Sequence, residues 1–420
     1  MARLPRGSNL DFFCAVVIVG LLAGLAGLST TLVLRFVEHL TYHYTFGSLL
    51  VGVTGSSPVR RAVGPMAGGA LAAAGWWILR RRARVPPVAE TIARHERIPR
   101  LSWSVDAVLQ VVLVGSGASL GREGAPRQFA AALGDLATGW LKRLSPRDRE
   151  ILLACAAGAG LGAVYAVPLG GALFAVRIML DTWHPRALGA ALISSSLAVA
   201  IGSTITHDQP ELDWPSVESS YLLTAHGLLL APLTLAVGLA FNRVMAAARP
   251  ASPMRTWVLI PALAAAGLLT GICSHRWPEL PGNGKSILTV SLASGMGGMT
   301  LSAAAAILVL KPLLTALFLR AGGAGGMLTP SLATGAAAGS LLVLSINSAA
   351  GTHLHVPAVS LAGAAGVLAV TQGSPIWAAI FVWELAHPPV WLLLVFLLTA
   401  VGSHGLKAAL ERHRSGAGIP

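Results

Sequence analysis

The chain has 420 residues, of which 54% are hydrophobic and 11% charged, and its mean hydropathy is +0.69. Soluble domains carry about 25% charged residues, so this composition excludes a soluble globular protein and predicts one solvated mainly by lipid. The formal net charge of +13 lies mostly in short loops between apolar segments, which is typical of membrane proteins and argues against a nucleic-acid partner.

Apolar segments recur along the whole chain. In order they cover approximately residues 10–37, 62–79, 105–120, 150–180, 187–206, 221–247, 257–273, 299–319, 327–347, 356–371 and 375–401. A straight helix needs about 20 apolar residues to span a bilayer. Several segments are shorter and others longer. The sequence therefore predicts an all-α polytopic membrane protein with many tilted, broken and partial helices.

The distribution of charge predicts the orientation. Arg3 and Arg6 precede the first apolar segment, seven arginines crowd residues 80–100, and basic residues close the chain at 407–414. Residues 207–218 carry four acidic side chains and no Lys or Arg. Because cytoplasmic loops are enriched in Lys and Arg, we expect both termini in the cytoplasm and residues 207–218 outside.

The chain contains a faint internal repeat. GREGAP starts at Gly121 and GGMLTP starts at Gly325, and both follow the pattern G-x-x-x-x-P. PLGGALFAVR then starts at Pro168 and PIWAAIFVWE at Pro375. The first proline of each pair precedes the second by 42 residues in one half and by 45 in the other. Two Gly/Pro-interrupted segments at matching places predict a substrate pathway between the repeats.

The repeat predicts a division of the chain into two membrane units. We expect a first membrane repeat over residues 1–206, an external linker over 207–218, a second membrane repeat over 219–411, and a cytoplasmic tail over 412–420.

The two G-x-x-x-x-P motifs predict an anion site. Proline is favoured at the first helical position, so Pro126 and Pro330 are expected to begin helices, with Thr329 as N-cap. A helix start leaves about four N–H groups unpaired and carries the positive end of the helix dipole. Two such starts at the membrane midplane would bind an anion without holding it as tightly as a Lys or Arg.

Glu123 lies inside the first of these motifs. A carboxylate at the bilayer centre costs about 2.5–3.5 kcal/mol or more, which predicts a specific purpose or a specific partner. One hypothesis is a gate in which the ionised carboxylate occupies the anion site. The other is a structural ion pair, for which Arg127 is better placed than Arg122. The preceding GSGASLG lacks the spacing of a nucleotide-binding loop, and small residues there favour helix packing.

These motifs resemble those of the CLC family of chloride channels and proton/chloride antiporters. GREGAPRQ, residues 121–128, is similar to that family's GREGP motif with Ala125 as one extra residue. GGMLTP is similar to its GxFxP motif, with Leu328 in the aromatic position, and residues 151–179 resemble the helices that follow GREGP. Nearly the whole chain is covered, as a divergent bacterial-type member without CBS domains.

The resemblance implies a CLC-type inverted repeat and a homodimer with one anion pathway per subunit, Glu123 being the gate. The segments after Pro168 and Pro375 would lie at the dimer interface. The residues that it assigns to the anion site are Gly121, Arg122, Glu123, Gly124, Gly326, Met327 and Leu328.

The chain departs from the family pattern at three places. RARVP, residues 82–86, stands where the family has GSGIP, so Ala83 or a neighbour replaces the serine that touches the central ion, and Arg84 either compensates or belongs to the basic loop. Lys407 aligns with the family's central tyrosine, or is an ordinary interfacial lysine. Ile178 aligns with the internal glutamate that delivers protons in antiporters. These departures weaken the expectation of tight chloride selectivity and of proton coupling.

Other polar residues have less specific interpretations. Glu384 and Arg177 each lie nine residues after one of the paired prolines, as candidates for function or for a salt link between helices. Asp135 is expected to face an interface. His207, His226, His355 and His387 are isolated, and Cys14, Cys155 and Cys273 lack metal or disulfide spacing. We therefore expect no metal and no cofactor.

The sequence thus predicts transport of chloride or another small monovalent anion, across a bacterial inner membrane, by a protein that is not an enzyme. Uncoupled or weakly coupled flux is preferred over strict antiport, and a proton/chloride antiporter and a fluoride transporter remain alternatives within transport. A non-transporting membrane scaffold is the alternative from another class.

Overall fold

The computed structural model describes residues 6–139, 144–206, 212, 214–215, 221–293 and 297–416. Regular structure in these ranges is helical, apart from one isolated antiparallel bridge between Gly121 and Gly326. The helices are α1 (Arg6–Tyr42), α2 (Leu49–Gly55), α3 (Pro58–Arg82), α4 (Val88–Ala93), α5 (Arg100–Gly115), α6 (Gly124–Thr138), α7 (Pro146–Tyr165), α8 (Pro168–Leu173, continued as a π-helix over Phe174–Met179), α9 (Pro185–Thr206), α10 (Tyr221–Leu229), α11 (Ala231–Ala248), α12 (Leu259–Cys273), α13 (Lys285–Leu292), α14 (Leu301–Arg320), α15 (Leu328–Ala350), α16 (Val356–Gln372), α17 (Pro375–Ala386) and α18 (Trp391–Gly416).

Full-length and partial helices occur together. Within the described ranges, seven helices are long and apolar enough to cross a membrane: Asn9–Tyr42, Pro58–Arg82, Pro185–Thr204, Gly227–Ala248, Leu301–Arg320, Leu328–Ala350 and Trp391–His413. Other apolar helices, among them α12, α16 and α17, have only 10–17 residues. The prediction of an all-α polytopic membrane protein with broken and partial helices is confirmed.

Two long apolar segments of the sequence are each divided by a break. Residues 150–180 break after α7, where Ala166 has a positive φ of 53° and Val167 precedes Pro168. Residues 375–401 break after α17, where His387 has a φ of 46°. Proline disfavours helical backbone at the residue before it, which explains why α8 begins where it does.

The two motif regions have the same order of elements. α6, α7 and α8 follow the first G-x-x-x-x-P motif, and α15, α16 and α17 follow the second. Pro168 and Pro375 each occupy the first position of their helix. The residues at the predicted linker lie almost wholly outside the described ranges, and α18 continues through Gly416, into the predicted tail.

The prediction that Pro126 and Pro330 begin their helices is wrong by two residues. α6 begins at Gly124 and α15 at Leu328, so each proline takes the third helical position. The helices can start earlier because the first four helical N–H groups lack intrahelical partners, and a proline there removes none of the helix's hydrogen bonds. Thr329 is consequently inside α15, and Met327 is the N-cap instead.

Glycines let α15 and α16 pack backbone against backbone. A Cβ added at Gly335 would lie 2.5 Å from the carbonyl oxygen of Gly363, and one added at Gly363 would collide with the carbonyl oxygen of Gly335. Close packing through small residues is a major source of helix association in membranes, where lipid is as apolar as the side chains. This contact helps to hold α15, whose first residues form part of the site described below.

We expect Gly363→Ala to destabilise the protein, because the added methyl group must push α15 and α16 apart. Overpacking of this kind costs about 1–3 kcal/mol, which would appear as a lower apparent melting temperature of the purified protein in detergent. Gly405→Ala is the matched control, since nothing lies within 4 Å of a Cβ added there. Equal melting temperatures for the two variants would contradict the prediction.

Candidate anion site

Two glycines join the two motif regions through their backbones. The N–H of Gly121 donates to the carbonyl of Gly326 at 2.7 Å, and the N–H of Gly326 donates to the carbonyl of Gly121 at 2.8 Å. These residues precede α6 and α15 by only a few positions. The paired hydrogen bonds therefore hold the N-termini of the two helices side by side, although they are about 200 residues apart in the chain.

The carboxylate of Glu123 lies at the N-terminus of α15. One oxygen accepts the backbone N–H of Leu328 at 2.7 Å. The other accepts the hydroxyl of Thr329 at 2.9 Å and the hydroxyl of Tyr165 at 3.3 Å. The side chain is fully buried, with an exposed fraction of 0%. A helix N-terminus with added hydroxyl donors is an anion-binding arrangement, and here the bound anion is part of the chain itself.

The glycines beside the carboxylate are required for its approach. A Cβ added at Gly326 or at Gly121 would collide with the carboxylate oxygens of Glu123. Neither glycine is among the positive-φ positions, so the requirement is for space beside the carboxylate.

The neighbouring arginines contact other groups. Arg127 donates from Nε to the backbone carbonyl of Glu123 at 2.8 Å, and its guanidinium lies over the ring of Phe174. Arg122 donates from Nη2 to the carbonyl of Val164 at 2.8 Å and lies over the ring of Tyr165. The three hydrogen bonds to the Glu123 carboxylate come from neutral donors, and Arg127 contacts the main chain of Glu123, whereas the ion-pair hypothesis placed it at the carboxylate.

Two cavities approach Glu123 from different ends of the helices. The first has a volume of about 330 Å³, is lined by Arg122 and includes the segment that follows α1. The second has a volume of about 800 Å³, is lined by Gly124 and Met327, and includes the segment that follows α3. Because α1 and α3 are successive helices of membrane-spanning length, their C-terminal ends lie at opposite membrane faces. The residues on either side of Glu123, Arg122 and Gly124, thus line different cavities.

The residues predicted as central-site replacements are placed differently from one another. Ala83 and Arg84 both line the second cavity, together with Gly124 and Met327. Lys407 lies on α18, where its Nζ donates to the carbonyl of Val370 at 3.1 Å, and it is not among the residues that line either cavity. Lys407 therefore joins α18 to α16, which is a role in helix packing.

Ile178 lies in the π-helical continuation of α8. Its side chain is half-buried against an apolar cluster that includes Phe174 and Trp377. An isoleucine carries no titratable atom. The nearby Arg177 pairs with Asp181 at 2.9 Å, and 83% of the Asp181 side chain is exposed. This is a local pair at the surface, and it differs from the salt link between helices that was one of the two alternatives for Arg177.

The remaining polar candidates have structural partners. Glu384 is buried and accepts the N–H groups of Leu169 at 2.9 Å and Gly170 at 2.5 Å, which start α8. Asp135 is buried and pairs with Arg100 at 2.7 Å and also with Arg149.

No group of metal-ligating residues occurs in the described part of the chain, and the three cysteines are free. His355 caps α16 by accepting the N–H of Ala358 at 3.2 Å, and His387 ends α17. His207 and the His226 side chain lie outside the described residues.

Sequence reasoning missed the hydroxyl donors of the site. Thr329 was assigned to capping, and Tyr165 was not singled out. The available signal was weak, since Tyr165 is one of four tyrosines in the chain and ends a helix whose second half consists of small and apolar residues. That it meets Glu123, 42 residues earlier, depends on how α7 packs against α6.

Sequence reasoning also missed Lys311, although a lysine within an apolar segment was a visible signal. Lys311 is fully buried in α14, and its Nζ donates to the carbonyls of Leu280 at 3.1 Å and Gly282 at 2.7 Å. Gly282 in turn donates to Gly117, and Thr315 of α14 donates to Ser119 at 2.8 Å. α14 thus supports the segment that leads into the first motif.

Comparison with known proteins identifies the family. The family model described as voltage gated chloride channel matches residues 68–407, which is most of the chain. The chain belongs to the CLC family. A relative named voltage-gated ClC-type chloride channel ClcB, from Escherichia coli O81 (strain ED1a), is 28% identical over 398 residues, covering 88% of this chain and 89% of the relative.

Solved CLC structures share the fold of this member. A slow cyanobacterial Cl⁻/H⁺ antiporter superposes with a TM-score of 0.77 at 18% identity, covering 99% of both chains. A CLC-type fluoride/proton antiporter superposes with a TM-score of 0.74 at 17% identity, covering 96% of both. A eukaryotic CLC transporter gives 0.70 at 17% identity, covering 95% of this chain and 72% of its own. Similarity at this level of identity shows the CLC fold.

We expect Lys311→Met to weaken chloride binding by about tenfold. Lys311 and Thr329 of the site both flank Gly284, where an added Cβ would lie 3.5 Å from the lysine Cε and 3.3 Å from the threonine carbonyl oxygen. When Lys311 carries its proton, its charge is close enough to the α15 N-terminus to act on an anion there with an energy on the order of 1–2 kcal/mol at an effective dielectric of about 20. Isothermal titration of purified protein with chloride measures the change.

Lys407→Met is the matched control, because it removes a lysine that also donates to a backbone carbonyl but lines neither cavity. We expect its chloride affinity to stay within about twofold of the unmodified protein. Weaker binding in Lys407→Met alone would instead support the alignment of Lys407 with the family's central tyrosine.

Proposed function

We propose that the protein carries chloride between the two cavities along a pathway that Glu123 closes. Membership of the CLC family places the chain among anion transporters. The observation that carries the finer proposal is the position of the Glu123 carboxylate, buried between the cavities and bound by Leu328, Thr329 and Tyr165. Every one of these donors is neutral, so each can serve a chloride ion as well as a carboxylate.

The proposed gate is a competition between a tethered anion and a free one. While Glu123 is ionised, its carboxylate takes the donors that chloride needs. When it is protonated, it loses the charge that binds it to the N-terminus of α15 and leaves the site to chloride. Because the donors that would contact chloride are neutral, its release breaks no direct contact with a charged group, which favours rapid passage.

We further propose that proton movement is not stoichiometrically coupled to chloride movement. Ile178 stands at the internal proton position that the family resemblance assigns, and it has no titratable atom. The alternative of antiport has its own support, since two structures with the same fold carry titles that name them Cl⁻/H⁺ and fluoride/proton antiporters. The relatives of higher identity are named chloride channels.

The proposed setting is a bacterial inner membrane, with both termini in the cytoplasm and no cofactor. The Escherichia coli relatives support the bacterial setting, and the basic segments 80–100 and 407–414 support the orientation. In this orientation the first cavity opens outward and the second cavity opens to the cytoplasm.

The decisive experiment records chloride efflux and external pH together, in chloride-loaded liposomes that contain the purified protein. We expect chloride efflux to rise on acidification, because a protonated Glu123 no longer competes with chloride for the site. In Glu123→Gln the flux should be high and independent of pH, since the amide cannot compete as an anion.

Glu384→Gln is the matched control, because Glu384 is also a buried carboxylate bound to a helix N-terminus but lies at α8. Its flux should keep the pH dependence. Stoichiometric proton movement with chloride would favour the antiporter instead. Fluoride efflux without chloride efflux would favour the alternative of a fluoride transporter. No flux of either anion would contradict transport and favour the alternative of a non-transporting membrane scaffold.

We also propose a homodimer, formed by the surfaces of α8 and α17. Leu169 is 42% exposed and Ile376 is 45% exposed at the starts of these helices, which contact one another within the chain.

Light scattering of the detergent-solubilised protein should give twice the 43.1 kDa chain mass, and Ile376→Trp should shift the population toward monomer. Leu269→Trp, at a residue equally exposed on α12, should leave the dimer intact. A monomer in the unmodified protein would contradict this arrangement.

A further inference from the structure

The second cavity is lined by more positive charge than the passage of chloride requires. Five arginines from three parts of the chain line it, namely Arg80, Arg84, Arg127, Arg249 and Arg255. The only acidic residue among the lining residues is Asp106, so five positive charges and one negative charge leave a formal excess of four. We call this space the arginine cavity.

Asp106 does not neutralise the exposed part of the cavity. It is buried, and its two oxygens accept the indole N–H of Trp76 at 2.7 Å and the amide of Gln110 at 2.7 Å. Arg80, which also lines the cavity, lies over the ring of Trp76 and donates to the carbonyl of Met254 at 3.3 Å. Asp106 and Arg80 therefore form the wall of the cavity with Trp76.

The other arginines fall into two groups. Arg127 is held by the backbone carbonyl of Glu123, and Arg249 lies 3.5 Å from the sulfur of Met327. Arg84 and Arg255 are exposed, and neither makes a hydrogen bond or ion pair with any residue in the described ranges. Two guanidinium groups, with five donors each, are thus available to a ligand in the arginine cavity.

The size and charge of the cavity indicate the class of ligand. A volume of about 800 Å³ is within the range of small-molecule binding pockets and is far larger than a chloride ion needs. Guanidinium groups match phosphate oxygens in pairs, and several of them together favour a ligand with several phosphate charges. A high density of fixed positive charge would retain such a polyanion, whereas conduction requires that chloride leave readily.

We propose that the arginine cavity binds a soluble polyanion with two or more linked phosphate groups, and that this ligand inhibits anion flux. The ligand is held by Arg84 and Arg255 and extends toward Gly124 and Met327, where the cavity reaches the residues next to Glu123. It therefore blocks the route between the cavity and the gate. Binding is independent of the transport proposed above, and inhibition rests on it.

Binding is tested by isothermal titration of the full-length protein in chloride-free detergent solution, with inorganic tripolyphosphate as probe and orthophosphate as comparison. We expect one tripolyphosphate per subunit, bound at least about tenfold more tightly than orthophosphate. Arg84→Gln and Arg255→Gln should each weaken tripolyphosphate binding by about tenfold, which corresponds to the loss of one charge-assisted contact.

Arg82→Gln is the matched control. Arg82 is exposed, belongs to the same basic segment and carries the same charge, but it does not line the arginine cavity. We expect its affinity for tripolyphosphate to stay within about twofold of the unmodified protein. Failure of tripolyphosphate to bind, or an equal loss of affinity in Arg82→Gln and Arg84→Gln, would overturn the proposal, because the attraction would then belong to the whole basic surface.

Inhibition is tested in the liposome assay, with tripolyphosphate added to the face on which the arginine cavity opens. Chloride efflux should fall as tripolyphosphate is added, and Arg84→Gln should require about tenfold more tripolyphosphate for the same inhibition. Binding in solution without inhibition would overturn the blocking role. A protein that binds tripolyphosphate but carries no anion even in its absence would overturn the proposed transport and leave the binding site standing.

Discussion

The pair of backbone hydrogen bonds between Gly121 and Gly326 is the contact on which the site depends. It brings together two helix starts from distant parts of the chain, and the glycines leave room for a carboxylate between them. This pairing places the N-terminus of α15 beside the side chain of Glu123. The same pairing separates a cavity lined by Arg122 from one lined by Gly124.

In the part of the chain that the structure describes, a buried carboxylate binds a helix N-terminus at two places, and each time it comes from the opposite half of the chain. Glu123, in the first half, binds the start of α15 in the second, and Glu384, in the second half, binds the start of α8 in the first. In both places the helix dipole and unpaired N–H groups offset part of the cost of burying the charge. The two differ in surroundings. Glu123 lies between two cavities, whereas Glu384 is packed at the contact of α8 and α17.

The two cavities differ in their electrostatics. The first mixes charges, with Glu38 among Arg35, Arg122 and Lys285, whereas the second is lined by five arginines and a buried aspartate. Mixed charge is suited to brief contact with a monovalent anion, since no single strong field holds it. The arginine cavity attracts anions more strongly and distinguishes them by their number of charges. Ala83, which the family resemblance aligns with a serine, lines this cavity next to Arg84.

The sequence by itself determined the membrane environment, the helical class, the family and the two glycine motifs. Hydropathy determines the membrane environment and the helical class, because it depends only on which residues are close in sequence. Glycine and proline mark the two motifs, because they restrict the backbone locally. The sequence also located Glu123. Tertiary structure alone decided what Glu123 touches. The helix starts moved two residues ahead of Pro126 and Pro330, and Thr329 became a donor to the carboxylate. Tyr165 and Lys311 joined the surroundings of the site, and Lys407 did not. Such contacts join residues tens to hundreds of positions apart, and they depend on how whole helices pack, which no local pattern specifies.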